Sequence, residues 1–430
     1  MTITADINLL TATASELQTR LTSNSVTSQQ LPRRRATLTA SDLDGERAKG
    51  SIRGPLHGIP IIVKENIATV PALGLPTTCG SLALVGSKPR QNAAIIERLI
   101  AAGVIILGKA NLSKPGGSSS GSAVAVAAGF SPISIGTETM GSLIMPSDRS
   151  ALYTIKPTLK IVPQEGIIPV TPEADSAGPM TKSVLDLANL LDAIADPRKT
   201  TITEGGYKSA VTGKWGDIRI GVLEPENWLF PTKIVKYEKQ ASEQMFREWK
   251  AAYKKLASVV KVMKPVTLLS VDESTDHGKS DIWDAFQYLA SIDDSKVKTL
   301  EELVKFNEDH AEQELPPSAD NQAGFIRALS AKMPEEEYYK LINTARDRSG
   351  KQGIDKVLEE NEVDIIMGPS DGPLFCISGT AGYPVASLPL GYLDFNGRPF
   401  GLQKALIQAQ SAWEATFPAR QPPPLDEIVR

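Results

Sequence analysis

Between residues 116 and 147 the chain reads GGSSSGSAVAVAAGFSPISIGTETMGSLIMPS, and few folds accept such a stretch. Side chains are nearly absent from the first six positions, so other backbone can come close, and glycine takes dihedrals that other residues resist. The pattern predicts a helix over 122–129, a strand over 132–135 and a second small-residue turn over 136–142. Composition alone would make this a flexible Gly/Ser linker. The Val and Ala of 123–128 belong instead in a packed interior, which sets two serine-bearing loops at opposite ends of one loop–helix–strand unit.

The rest of the chain supplies a sheet for that unit to join. Gly54-Pro55-Leu56-His57-Gly58 reads as a turn delivering a strand over 59–63, apolar on both faces as in a parallel-sheet interior, with Lys64 at its end. Taken by itself, a lysine at a strand terminus snorkels to solvent; the serine loops downstream reverse that preference. Residues 92–103 have the period of a helix that Gly103 stops, and 104–107 form a second strand. Strand, helix, strand argues for a sheet with helical crossovers. Further strands are expected at 152–157 and 166–170, with helices over 7–21 and 182–194. Residues 197–361 are charged and helix-rich, with strands at 218–222 and 259–262 and helices over 235–256, 299–310 and 335–361. Sheet signal returns at 363–369 and 381–391.

Composition removes several function classes. The 430 residues carry a formal net charge of −4 with both signs dispersed, and Arg33-Arg34-Arg35 reads as a solvated face or loop rather than a nucleic-acid footprint. Two cysteines, Cys79 and Cys376, make no disulfide framework, and three histidines are too scattered for a zinc site, so no metal and no cofactor are expected. The longest apolar run, 99–107, is far too short to span a bilayer. With no secretory signal at 1–10, a cytoplasmic protein is expected.

The stretch resembles the amidase signature family of serine hydrolases, whose pattern has a GGSS loop, a small-residue helix and a G-T-[DE]-x-G-G-S turn. An upstream G-I-P-x-x-V-K-[DE] strand completes it, matched here by Gly58-Ile59-Pro60-Ile61-Ile62-Val63-Lys64-Glu65. The resemblance implies an α/β fold, an α/β/α sandwich with a central twisted mixed β-sheet surrounded by helices. It further implies one domain over 1–430, with 197–361 a variable helix-rich insertion, and an amidase that cleaves a carboxamide C–N bond. Ser142 is then the nucleophile, Ser118 the bridging residue and Lys64 the base. Thr139, Met140, Gly141 and Gly117 surround the oxyanion and substrate, and Glu138 holds the turn. A cis peptide is implied at Gly117-Ser118. The expected partner is a small-molecule amide, with room for a homodimer.

The chemistry is consistent with those residue types. Serine is a weak nucleophile at its free pKa and needs an adjacent base. A lysine serves only when burial or a nearby positive charge lowers its pKa, and Lys156 is the candidate neighbour. A Ser-His-Asp site is disfavoured because the chain has no G-x-S-x-G elbow after a strand, and His57 reads as a packing residue. The chain departs from the family pattern at Met140, where a small residue is usual, and at Ile144, where Arg is common. The connector is reduced to residues 112–115, which span roughly 14 Å at most, and shorter gaps fall within 30–42 and 402–411. Three readings stand: an active amidase, a silent relative that acts by binding, and one component of an amidotransferase.

Overall fold

The computed structural model describes residues 8–23, 25–28, 37–113, 117–200, 204–232, 234–274, 289, 291–317, 319–330, 333–394, 399–403, 407–417 and 420–421. Gly116, the Arg33–Arg35 triplet and the second half of the 112–115 connector lie outside them. Among the described residues ten strands form one sheet. They are β1 (Pro60–Lys64), β2 (Ile105–Ala110), β3 (Ile133–Glu138), β4 (Tyr153–Lys156), β5 (Ser176–Thr181), β6 (Arg219–Val222), β7 (Val262–Pro265), β8 (Ile365–Pro369), β9 (Val385–Tyr392) and β10 (Pro399–Gln403). Their order is β2-β1-β3-β5-β4-β9-β10-β8-β6-β7.

The sheet is mixed for a local reason. Where a helix intervenes the next strand returns parallel: Ala94–Ala101 joins β1 to β2, and Ser120–Ala127 precedes β3, which also pairs with β1 in parallel. In the middle β3 pairs antiparallel with β5, β5 with β4, and β4 with β9. At the far edge β6 pairs in parallel with both β7 and β8. Thus residues 197–361 contribute two strands to the sheet as well as helices.

One large apolar core takes Ile61 and Val63 of β1, Ile133 and Ile135 of β3, and the helices Ala94–Ala101 and Val184–Ile194. A smaller cluster, Ala123, Val126, Leu143, Leu152 and Met180, lies beneath the helix Ser120–Ala127. That helix sits close to β3 because its side chains are small and its hydroxyls are shared. Ser122 Oγ donates to the Ile135 carbonyl (3.1 Å), and Ser134 Oγ donates to the Ser122 carbonyl (2.9 Å). A Cβ at Gly121 would stand 2.4 Å from the Asn111 carbonyl oxygen, so only glycine permits that approach.

Several expectations from the sequence need correction. Residues 136–138 continue β3 rather than turning, because Gly136, Thr137 and Glu138 pair with Gly178, Ala177 and Ser176. Residues 166–170 are no strand: Ile67 and Ile167 make one isolated bridge, and the segment is otherwise tied by Ala68 N–H to Gly166 O (2.9 Å) and Ile168 N–H to Asn66 O (2.8 Å). The helix expected over 335–361 is broken into Glu335–Ser349 and Lys356–Asn361 by a π-helical turn, Gly350–Asp355, where Tyr383 donates to Asp355 (2.7 Å). Among the described residues no helix is long and apolar enough to cross a membrane.

Candidate active site

The C-terminal ends of β1 and β3 lie side by side, and the small-residue stretch folds over them. Lys64 ends β1 and is 1% exposed, so its ammonium has no access to bulk water. Its Nζ donates to Ser118 Oγ (2.6 Å), Ser119 Oγ (3.0 Å), Thr137 Oγ1 (2.8 Å) and the Thr137 carbonyl (3.0 Å). Burial lowers its pKa to about 7, against the opposing pull of Cys79, Glu138 and Asp175. Desolvation disfavours the charged form, so near neutrality a substantial share of Lys64 is a free amine. Lys156, expected as a neighbouring positive charge, is not the cause. It is buried with Nζ on the carbonyls of Pro157 and Tyr383, and burial lowers its own pKa to about 8.

The cage around Nζ is itself fixed. Ser119 Oγ donates to the Thr137 carbonyl (3.0 Å) and accepts from the Thr137 N–H (3.1 Å). Asn66 Nδ2 donates to Thr137 Oγ1 (3.1 Å) and to the Ile168 carbonyl (3.3 Å), tying the lysine's surroundings to the 166–170 segment. Neither Ser119, Thr137 nor Asn66 stands out from the sequence. Ser119 and Thr137 fall inside the two motif loops, where serine and threonine content does not tell a cage from a linker, and Asn66 lies in neither loop.

Ser118 and Ser142 meet where the two loops touch. The Ser118 N–H donates to Ser142 Oγ (3.1 Å), and the Ser119 N–H donates to the Ser142 carbonyl (3.2 Å). The approach depends on two glycines. Gly117 has φ +89°, and a Cβ there would meet Pro146 at 2.6 Å and the Gly141 carbonyl at 2.9 Å. Gly141 has φ +82°, and a Cβ there would stand 2.5 Å from the Phe375 ring. The Gly117–Ser118 peptide is trans, contrary to the expected cis bond; the turn is made by the positive φ of Gly117.

Glu138 anchors the Ser142 loop from beneath. Its carboxylate accepts from the N–H groups of Leu143 (2.6 Å) and Ile144 (2.9 Å), and the Gly141 N–H leans to it as well. Burial raises its pKa while those donors oppose the shift. Thr139 Oγ1 donates to Asp175 Oδ1 (2.6 Å), and Asp175 Oδ2 accepts from Val170 and Thr171 N–H. Burial pushes Asp175 up to about 6 despite these bonds. Met140 is 37% exposed beside the half-buried Ser142. His57 is buried among structural partners, its Nε2 2.9 Å from the Leu43 carbonyl.

A mixed α/β sheet with a serine, serine and lysine cluster at the end of its first strand defines the class of protein. Comparison with known proteins then places it. The chain belongs to the amidase family, whose model matches residues 15–114 and 113–380, two stretches that meet at the shortened connector. It is 30% identical to a probable amidase of Arabidopsis thaliana, over 90% of this chain and 82% of that protein. Against a glutamyl-tRNA(Gln) amidotransferase component from Chloroflexus aurantiacus it is 40% identical, over 44% of each chain. The solved peptide amidase of Stenotrophomonas maltophilia superposes with a TM-score of 0.83 at 29% identity, covering 96% of this chain and 99% of that one. Family and fold together support an amide-hydrolysing amidase.

Proposed function

We propose that the chain hydrolyses a carboxamide through an acyl-enzyme on Ser142. The observation that carries this reading is the 2.6 Å hydrogen bond between Ser118 and a buried Lys64 whose pKa is lowered to about 7. As a free amine, Lys64 accepts the Ser118 hydroxyl proton and keeps two N–H donors for the cage. Ser118 in turn takes the proton of Ser142 as Ser142 Oγ forms its bond to the carbonyl carbon. General-base assistance of this kind contributes typically about 10²–10⁴-fold. The relay then runs backwards, delivering the proton to the departing amine as the C–N bond breaks. Water, deprotonated through the same path, releases the acid and restores Ser142.

The tetrahedral oxygen is received by the loop that carries the nucleophile. The N–H groups of Thr139, Met140 and Ser142 surround it with Gly117 opposite, and the Gly141 N–H is shared with Glu138. One such fixed donor is worth roughly 3–4 kcal/mol in the transition state. The likeness to the peptide amidase favours an amide of peptide-like size as substrate.

Intact-mass analysis after exposure to a broad fluorophosphonate tests the relay. One adduct is expected, absent from Ser142→Ala and from Lys64→Ala. An adduct that persists in Ser142→Ala moves the nucleophile to another residue. No adduct on the folded wild-type chain leaves the reading of a relative that acts by binding. The likeness to an amidotransferase component supports one more reading, membership of a larger assembly. A partner that stays bound through size-exclusion chromatography would establish that one.

A further inference from the structure

We infer that Met140 sets the acyl specificity of the site, favouring uncharged, apolar acyl groups over anionic ones. The inference rests on the acyl-enzyme reading above. The nucleophile loop divides cleanly into an inward and an outward face. Inward, Leu143 and Ile144 are fully buried and Gly141 lies flush on Phe375, whose ring centroid is 5.7 Å from that of Phe230. Outward, Gly117, Ser118, Thr139 and Ser142 are half-buried and Met140 is exposed, so solvent meets the loop along these five residues. Met140 has the longest side chain among them.

Nothing in the backbone demands a particular residue at this position. The positive φ values of the loop fall on Gly117 and Gly141, while Met140 has an ordinary negative φ. The thioether is therefore not imposed by the backbone conformation. Its stem is seated by the helix Leu374–Ala381. A Cβ at Gly379 would lie 3.7 Å from Met140 Cγ and 3.2 Å from the Thr139 carbonyl, so glycine at 379 lets the two elements close on each other. Phe230, Phe375, Ile144 and Val385, with Met145 and Cys376 packed against them, make the ground beneath the loop apolar.

An acyl group bonded to Ser142 extends from its carbonyl carbon into this surrounding. Methionine is flexible and polarisable, so it follows alkyl chains of varied shape. It has no donor for a carboxylate, and a charge brought against it loses water without gaining a partner. Butyramide and succinamate separate these effects, because they differ chiefly in a methyl against a carboxylate at the end of the acyl chain.

The experiment measures ammonia release from both amides by the wild-type chain, Met140→Gly and Met140→Lys, with fluorophosphonate labelling of Ser142 as a check on each. Wild type should turn over butyramide at least about tenfold better than succinamate. Met140→Lys should close or invert that ratio, and Met140→Gly should reduce it. Turnover of butyramide with the same ratio in all three proteins would overturn the role of Met140 and leave the relay standing. A wild-type preference for succinamate would overturn it as well. Loss of both labelling and turnover in the folded wild type would instead overturn the relay, and this inference with it.

Discussion

Two lysines at opposite ends of the sheet are both buried, and what they face sets them apart. Lys64 ends β1; Lys182 follows β5, which runs antiparallel to β3 and so finishes at the opposite end of the strands. Burial lowers both to about 7. Their partners differ. Lys64 faces the hydroxyls of Ser118, Ser119 and Thr137, whereas Lys182 donates to the carbonyls of Leu9 (2.7 Å) and Ala12 (2.8 Å). A hydroxyl can hand its proton to a free amine, and a carbonyl has none to give. The lowered pKa is common to both sites; a transferable proton is present at one. Lys182 instead holds the segment before the helix Ala14–Thr22, whose start is also held by the Asp186 carboxylate, accepting from Ala14 N–H (2.7 Å) and Ser15 N–H (2.9 Å).

The comparison breaks most visibly in turnover. Lys64→Ala and Ser142→Ala should each lower kcat/KM by roughly 10³-fold or more, as loss of a member of a nucleophilic relay does. Lys182→Met should leave it within about threefold, since Lys182 touches no hydroxyl of the cluster. Steady-state kinetics on one amide settles all three, and a large loss in Lys182→Met would erase the distinction.

Stability gives the next largest effect. Gly141→Ala forces a side chain into φ +82° and a Cβ to 2.5 Å from Phe375. Strain and overpacking together should cost about 2–4 kcal/mol in urea unfolding. A neutral result would show that the loop can turn elsewhere.

The pH profile sharpens the difference in partners. The base form of Lys64 is the unprotonated amine, so kcat/KM should rise with pH through about 7 and then level off. Thr137→Val removes an oxygen that stabilises the ammonium, so the rising limb should move to lower pH. A limb that does not move would separate Thr137 from the titration.

The smallest expected effect is on the pH dependence of folding. The folded-state pKa of Lys182 is about 7, below the ordinary 10.5, so between these values the unfolded chain holds more protons. Its contribution to stability is therefore fully present above the unfolded value and is lost as pH falls towards about 7. Lys182→Met should reduce the upward slope of stability in this window by at most about 1.4 kcal/mol per pH unit. Denaturation midpoints measured across the window would show it, and an unchanged slope would mean that Lys182 stays charged.

Much of the sheet was legible because its strands announce themselves locally. The run at 59–63 is apolar on both faces and became β1, and the period of 92–103 became the helix Ala94–Ala101. The errors have a common cause in pairing. Gly136, Thr137 and Glu138 look like a turn by composition, yet opposite Gly178, Ala177 and Ser176 they extend β3. Gly166 and Ile167 look like a strand, yet they find a single bridge. The cage was less legible still. Ser119 and Thr137 are motif positions themselves, but nothing in their neighbours along the chain shows that both oxygens face Lys64.

By itself the sequence determined the order of the elements, the family and the three residues that carry the motif, since these follow from local pattern and spacing. Tertiary structure alone decided which lysine has a proton donor beside it. It also decided that burial, rather than Lys156, lowers the pKa of Lys64, and that Met140 is exposed with its Cγ beside Gly379. Each of these depends on atoms brought together across 50 residues or more, or on which face of a loop packs against a distant helix. Solvent exclusion and hydrogen-bond partners are properties of that meeting, and no stretch of chain contains them in advance.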